Sequence, residues 1–293
     1  MGRRVIWVIG AAALVAVYAP VLSAMGRVWW ADQYAGHGMF VPAFSALLLW
    51  MDRDRLQAAA GRGEPAGLLL VALGLGFLWL GTWAGSPLLQ GWSAVITVAG
   101  AVLWEFGARC LRVAAFPVGF LLFMVPLPRS LVEAVTLDLQ LFAAGFAVGA
   151  LRLFGIPVFH SGVVIALPNL TLQVAEVCNG LRFLMALLVL GVAFAEVTQR
   201  TWARKLILAG STIPIAILAN AVRVAVIGLG VYYVGPEAAS GTIHHMIGKG
   251  VWALTLLPLI ALGLVLRRGG EVGTLTPTLR LEGRGGTTEE KVA

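Results

Sequence analysis

"ARKLILAGSTIPIAILANAVRVAVIGLGVYY", residues 203–233, is one apolar run whose only charges are Arg204 and Lys205 at its start and Arg223, 20 residues after Ala203. A helix rises ~1.5 Å per residue, so the climb from Ala203 to Arg223 is ~30 Å, the thickness of a bilayer's hydrocarbon core. Basic residues beside membrane segments stay in the cytoplasm. The run therefore reads as a helix that enters from the cytoplasm and brings Arg223 out at the opposite edge. It is long enough to tilt or to project past the bilayer.

The rest of the chain agrees. Of 293 residues 59% are hydrophobic and 12% charged, with a mean hydropathy of +0.90, which excludes an ordinary soluble domain and points to a multi-span membrane protein in a lipid bilayer. The net charge of +7 sits in short clusters beside apolar runs. That distribution sets topology and implies no nucleic acid partner. Apolar segments of about spanning length fall at 5–25, 37–51, 66–84, 89–107, 111–126, 180–197, 203–233 and 245–266. The expected fold class is thus an all-α polytopic membrane protein of about eight transmembrane helices. The first apolar stretch, after Arg3 and Arg4, is longer than the ~7–15 residues of a signal-peptide core and reads as an uncleaved helix.

Arg3 and Arg4, the 52–62 cluster, Arg109 with Arg112, Arg200 with Arg204 and Lys205, and Arg267 with Arg268 mark successive cytoplasmic edges. Five spans then end outside near Pro126, and the span at 180–197 must also begin outside. Residues 129–154 consequently cross an even number of times. Arg129, Glu133, Asp138, Gln140 and Arg152 recur among their apolar residues, the pattern of an interfacial amphipathic helix. The next stretch, 156–177, has β-branched residues, a Leu167-Pro168-Asn169 turn signal and alternation through 170–174, as in a short extracytoplasmic β-hairpin. Residues 1–266 form the membrane domain, and 267–293, rich in Gly, Thr and charge, read as a disordered cytoplasmic tail.

These sides bring three groups to one surface. Cys178 stands at the outer start of the sixth span, Arg223 at the outer part of the seventh, and His244 and His245 at the outer start of the eighth. A thiolate is a nucleophile, an imidazole can move its proton, and a guanidinium offers a fixed fork of donors to an oxyanion. Around them, Asn220 shares a helix face with Arg223. Arg182 either sits over the thiol or anchors its helix start, Arg223 alone could snorkel to headgroups, and Glu176 either orients a histidine or faces water. His37 and His160 are also expected outside, without a direct role. Cys110 reads as inert packing. No metal site or other cofactor is indicated, since Cys178 has no second cysteine at ligand spacing.

The stretches "GHGMFVP" (36–42), "FPVGFLLFMVPLP" (116–128), "LFGIPVFHSGVVIALPNLTLQVAEVCNGLR" (153–182), "ANAVRV" (219–224) and "HHMIGKG" (244–250) resemble the exosortase/archaeosortase family of membrane cysteine transpeptidases and proteases. The resemblance implies a Cys–Arg–His site at the outer face of the cytoplasmic (inner) membrane, carried over to Cys178, Arg223 and His244. The family's glycine four residues after its histidine is Gly248 for His244, which leaves His245 as the alternative. Asn179 stands where serine is common in the family. The implied substrates are exported, membrane-anchored proteins with a PEP-CTERM-like C-terminal signal, comprising a short Pro-containing motif, a transmembrane helix and a basic end. The implied acceptor is an unidentified molecule. Two readings from other classes are a transporter with Arg223 and Asn220 on its path, and a non-catalytic scaffold in polysaccharide export. The transporter fits poorly, because Arg223 sits at the membrane edge and no paired broken helices occur.

The charge pattern makes a topological prediction. A reporter fused after Pro168 should behave as extracytoplasmic, and a cytoplasmic signal there would break the shared-surface argument.

Overall fold

The computed structural model of the chain describes residues 2–174 and 180–268. Glu176, Cys178 and the tail from residue 269 lie outside the described residues. The elements are α1 (Gly2–Ala31), α2 (Phe40–Met51), α3 (Arg53–Ala59), α4 (Ala66–Trp83), α5 (Pro87–Phe120) and α6 (Arg129–Leu153). They continue with β1 (Phe159–Ser161), β2 (Val164–Ala166), β3 (Thr171–Gln173), α7 (Leu181–Thr198), α8 (Trp202–Tyr233) and α9 (Gly241–Arg268). Among the described residues, seven helices are long and apolar enough to cross a membrane, so the chain is an all-α multi-pass membrane protein with one small sheet.

α5 accounts for two of the expected spans. Drawn straight, its 34 residues would cover ~51 Å. Instead Val125, just past its end, approaches within 2.5 Å of where a Cβ on Gly91 would lie. The chain turns back at Gly107, whose φ of 79° and ψ of 172° break the helix. A side chain there would be strained and would press on the Arg62 carbonyl, 2.5 Å from its Cβ. The first arm of α5 runs antiparallel to α4, and buried glycines recur every seventh residue along α4, at Gly67, Gly74 and Gly81. Two helical turns separate each from the next, so all three face one stripe, against Trp104, Thr97 and Gln90. Lipid offers no hydrophobic drive to pair helices. Close backbone approach at small residues replaces it.

The helix ends sort into two groups. At one end Gly61 N–H donates to the Phe106 carbonyl (3.0 Å) and Ala108 N–H to Glu64 Oε1 (2.9 Å). Also at that end, Gln199 Nε2 donates to the Gly263 carbonyl (3.0 Å) and Lys205 pairs with Glu196 (2.6 Å). The basic clusters from Arg53 to Arg267 gather there. At the other end, Trp29 Nε1 donates to the Met124 carbonyl (2.8 Å) and the sheet packs over α8. The loops between clusters of opposite side in the sequence thus meet at the sheet end.

The sheet has three strands in the order β1-β2-β3, all antiparallel, one more strand than the expected hairpin. Ile165 of β2 is buried in the core with Leu167, Val174, Val224 and Val231. Asn169, in the predicted turn, donates from Nδ2 to the Tyr232 carbonyl (3.1 Å), so the loop satisfies a carbonyl that the end of α8 leaves without a helical partner.

α6 has the length and hydropathy of a span, yet both its ends lie at the sheet end. Val132 shares a small cavity with Leu181, and Leu151 packs on Gly228. Gly180 beside Leu181 faces Asn220, so the two ends of α6 differ by about eight residues of α8, or ~12 Å, whereas residues 132–151 cover ~28 Å. α6 is therefore inclined to α8. Its apolar character comes from this packing, in which Ala143, Ala144 and Ala147 are buried with Ala221 and Ala225.

The glycine stripe predicts a contrast within α4. Gly74→Ala should lower the detergent melting temperature, since overpacking costs ~1–3 kcal/mol. Gly76→Ala, with open space around it, should be neutral or slightly stabilising. Equal effects would contradict the α4–α5 packing.

Candidate active site

Arg223 and His244 meet at the sheet end of α8 and α9. Arg223 Nη2 lies 3.1 Å from His244 Nε2. A guanidinium only donates, so it donates here and Nε2 supplies the lone pair. The neutral His244 then carries its proton on Nδ1. Both residues are partly buried, and Arg223 Nε and His244 Nδ1 are buried without a hydrogen-bond partner among the described residues. Each is a donor whose burial costs roughly 1–3 kcal/mol until it is paired.

Two glycines make room for this arrangement. A Cβ on Gly248 would come within 3.4 Å of the Arg223 guanidinium, so the guanidinium lies against bare backbone one turn after His244. Gly180 precedes α7 in the left-handed region, at φ 84°, and a Cβ there would sit 2.9 Å from Asn220 Nδ2. Asn220 is buried one turn before Arg223 on α8.

A cavity of about 470 Å³ joins these groups, with Gly180, Arg182, Asn220, Arg223, His244 and His245 in its wall. Arg182 is exposed in the first turn of α7. His245 is exposed too, its ring edge-on to His244 with centroids 5.9 Å apart, and it makes no contact with Arg223 like that of its neighbour. The structure therefore brings five sequence candidates together: Arg182, Asn220, Arg223, His244 and His245. Two more, Cys178 and Glu176, fall outside the described residues.

His37 and His160 stand elsewhere. His160 on β1 donates from Nε2 to the Gly162 carbonyl (2.7 Å). His37 bonds to the backbone of Phe123 and Tyr34 and lines cavities on the α1–α2 side. Cys110 is buried. Sequence reasoning passed over Lys249 and Trp252, which also line the site cavity. Their offsets from His245, four and seven residues, put them on the same face of α9, a signal that was there to read.

Segments around residues 180, 220 and 244 thus wall one cavity. The transmembrane exosortase family matches residues 29–261. The chain belongs to that family. This match spans every element from the end of α1 to most of α9. No curated protein and no solved structure matched the chain. Exosortases are in general cysteine transpeptidases.

The Arg223–His244 geometry predicts a tautomer. Nitrogen NMR of histidine-labelled protein should show His244 protonated at Nδ1, and Arg223→Ala should return it toward the usual Nε2–H form. An Nε2–H signal in the unsubstituted protein would contradict the contact.

Proposed function

We propose that this exosortase cleaves C-terminal PEP-CTERM-like sorting signals from exported proteins and passes the exported protein to an acceptor, at the outer face of the cytoplasmic membrane. Cys178 is the nucleophile, Arg223 the oxyanion donor and His244 the proton carrier. The observation that carries this reading is the Arg223–His244 contact in a cavity walled by Gly180. Cys178 precedes Gly180 by two residues, a reach of at most about 7 Å. The positive-inside rule supports the orientation: the basic clusters face the cytoplasm and the sheet end faces out.

In the reaction the Cys178 sulfur adds to the scissile carbonyl carbon, and the thiol proton passes to His244 Nε2. That nitrogen is the one Arg223 donates to at rest. Once protonated it no longer accepts, so Arg223 Nη2 is released as negative charge appears on the carbonyl oxygen. Proton transfer and oxyanion stabilisation are coupled through one hydrogen bond. The C–N bond then breaks, the leaving amine takes the proton from His244, and the N-terminal part of the substrate remains as a thioester on Cys178. An amine acceptor, or water, adds to the thioester and regenerates the thiol, again with His244 moving the proton.

Arg182 and Lys249 add positive charge at the rim of the cavity, and no carboxylate lines it among the described residues. That balance favours the thiolate over the thiol. A transporter reading has no comparable support, because the Arg–His pair lies at one end of the bundle rather than midway.

Variants divide the labour. Cys178→Ala should abolish processing while the protein still accumulates in the membrane. Arg223→Lys keeps the charge but loses the planar fork, and should cost ~10²–10³ in rate. His244→Ala should be severe and His245→Ala mild. Near-normal processing by Cys178→Ala would end the protease reading.

A further inference from the structure

A second, larger cavity of about 730 Å³ opens beside the site, between α2 and α7 with the end of α1 above it. Arg182, Ala186 and Trp252 line both cavities, so the two adjoin. The wall on α7 is Ala186, Val189, Leu190 and Ala193. Their offsets of three, four and seven residues make one straight stripe on a helix face. Opposite stand Phe40, 70% exposed, and Phe44 of α2. The charges in the wall are Asp32 and Arg182, both at the sheet end, and the lining from Ala186 to Ala193 is apolar.

We propose that this groove docks one transmembrane helix of the substrate protein and delivers the segment above it sideways into the cavity of Arg223 and His244. The proposal rests on the functional reading above and adds where the substrate's membrane segment binds. Three features choose the occupant. The groove descends from the proposed site along α7 for 11 residues from Arg182 to Ala193, ~16 Å or about three helical turns. Its floor places the small Ala186 and Ala193 two turns apart, with Val189 and Leu190 between, a surface that lets another helix come close. It also leaves apolar side chains such as Phe40 and Leu190 exposed beside a polar cavity where chemistry would occur. A chain leaving the groove at its sheet end meets Arg182 first and the Arg223–His244 pair next.

The test uses the full chain in lipid nanodiscs and two substrates, one carrying motif and membrane helix, the other a peptide ending before the helix. Leu190→Trp fills the groove from an exposed position and should raise KM for the helix-bearing substrate roughly tenfold or more, leaving the peptide's kcat/KM unchanged. Leu206→Trp, on an exposed face of α8 outside the groove, should alter neither. An equal effect of Leu190→Trp on both substrates, or none on either, would overturn the groove. As a measurement independent of turnover, Leu190→Cys in a Cys178→Ala background should form a disulfide with a cysteine scanned along the substrate helix, at positions one helical period apart. Cross-linking only to a second copy of the enzyme, or to nothing, would also overturn it. Cys178-dependent cleavage of the helix-bearing substrate by the unsubstituted protein upholds the functional reading whatever the groove variants do. Absence of that cleavage brings down the functional reading first.

Discussion

A single hydrogen bond, from Arg223 Nη2 to His244 Nε2 at 3.1 Å, ties α8 to α9 where both helices reach the sheet end. Much of the architecture exists to permit it. An arginine near a membrane boundary would ordinarily snorkel to headgroups. Here it is held inward because Gly248 leaves bare backbone for the guanidinium to lie on, and because Asn220 and Gly180 pack one turn below. α8 must also run far beyond the bilayer thickness, and the sheet and α6 cover that projecting part with Ile165, Leu151 and the alanines of α6. The small sheet is thus a cap on a long helix as much as a lead into residue 178.

How far the sequence could be read differed between elements. Span positions and the two ends of the bundle followed from charge clusters, because the cost of moving Arg or Lys across lipid dominates every local preference. The turn at Gly107 was legible only as a gap between two apolar runs. The backbone φ that makes it a reversal leaves no trace except a glycine. The Gly67–Gly74–Gly81 stripe was open to reading, yet it emerged only when Trp104, Thr97 and Gln90 were found opposite. For α6, hydropathy alone argues for crossing, while the even-crossing constraint argued against it. Ala143, Ala144 and Ala147 pack against α8, and apolar residues facing a neighbouring helix look in sequence like residues facing lipid.

At the site, the convergence of the residue 180, 223 and 244 regions was legible from topology, and the preference for His244 over His245 came from a family resemblance. The structure supplies the physical reason for that spacing, since Gly248 is where the arginine rests. The α2–α7 groove could not be read from sequence. Ala186, Val189, Leu190 and Ala193 look like any lipid-facing stripe until Phe40 and Trp252 are seen to wall it. A membrane location makes chemical sense for such a site. Under the proposed function, a substrate held by its own membrane helix would present its cleavage segment at a fixed depth, and the Arg–His pair would meet it near a low-dielectric boundary that strengthens each donor.

The proposed function requires a covalent intermediate at Cys178 that His244 helps to resolve. Mass spectrometry of the His244→Ala protein after incubation with a sorting-signal substrate tests it most directly. Without its proton carrier the enzyme should acylate slowly and release more slowly still. The Cys178 peptide should then carry the N-terminal substrate fragment as a hydroxylamine-labile thioester. Substrate cleavage with no adduct on Cys178, or an adduct on another residue, would contradict the account.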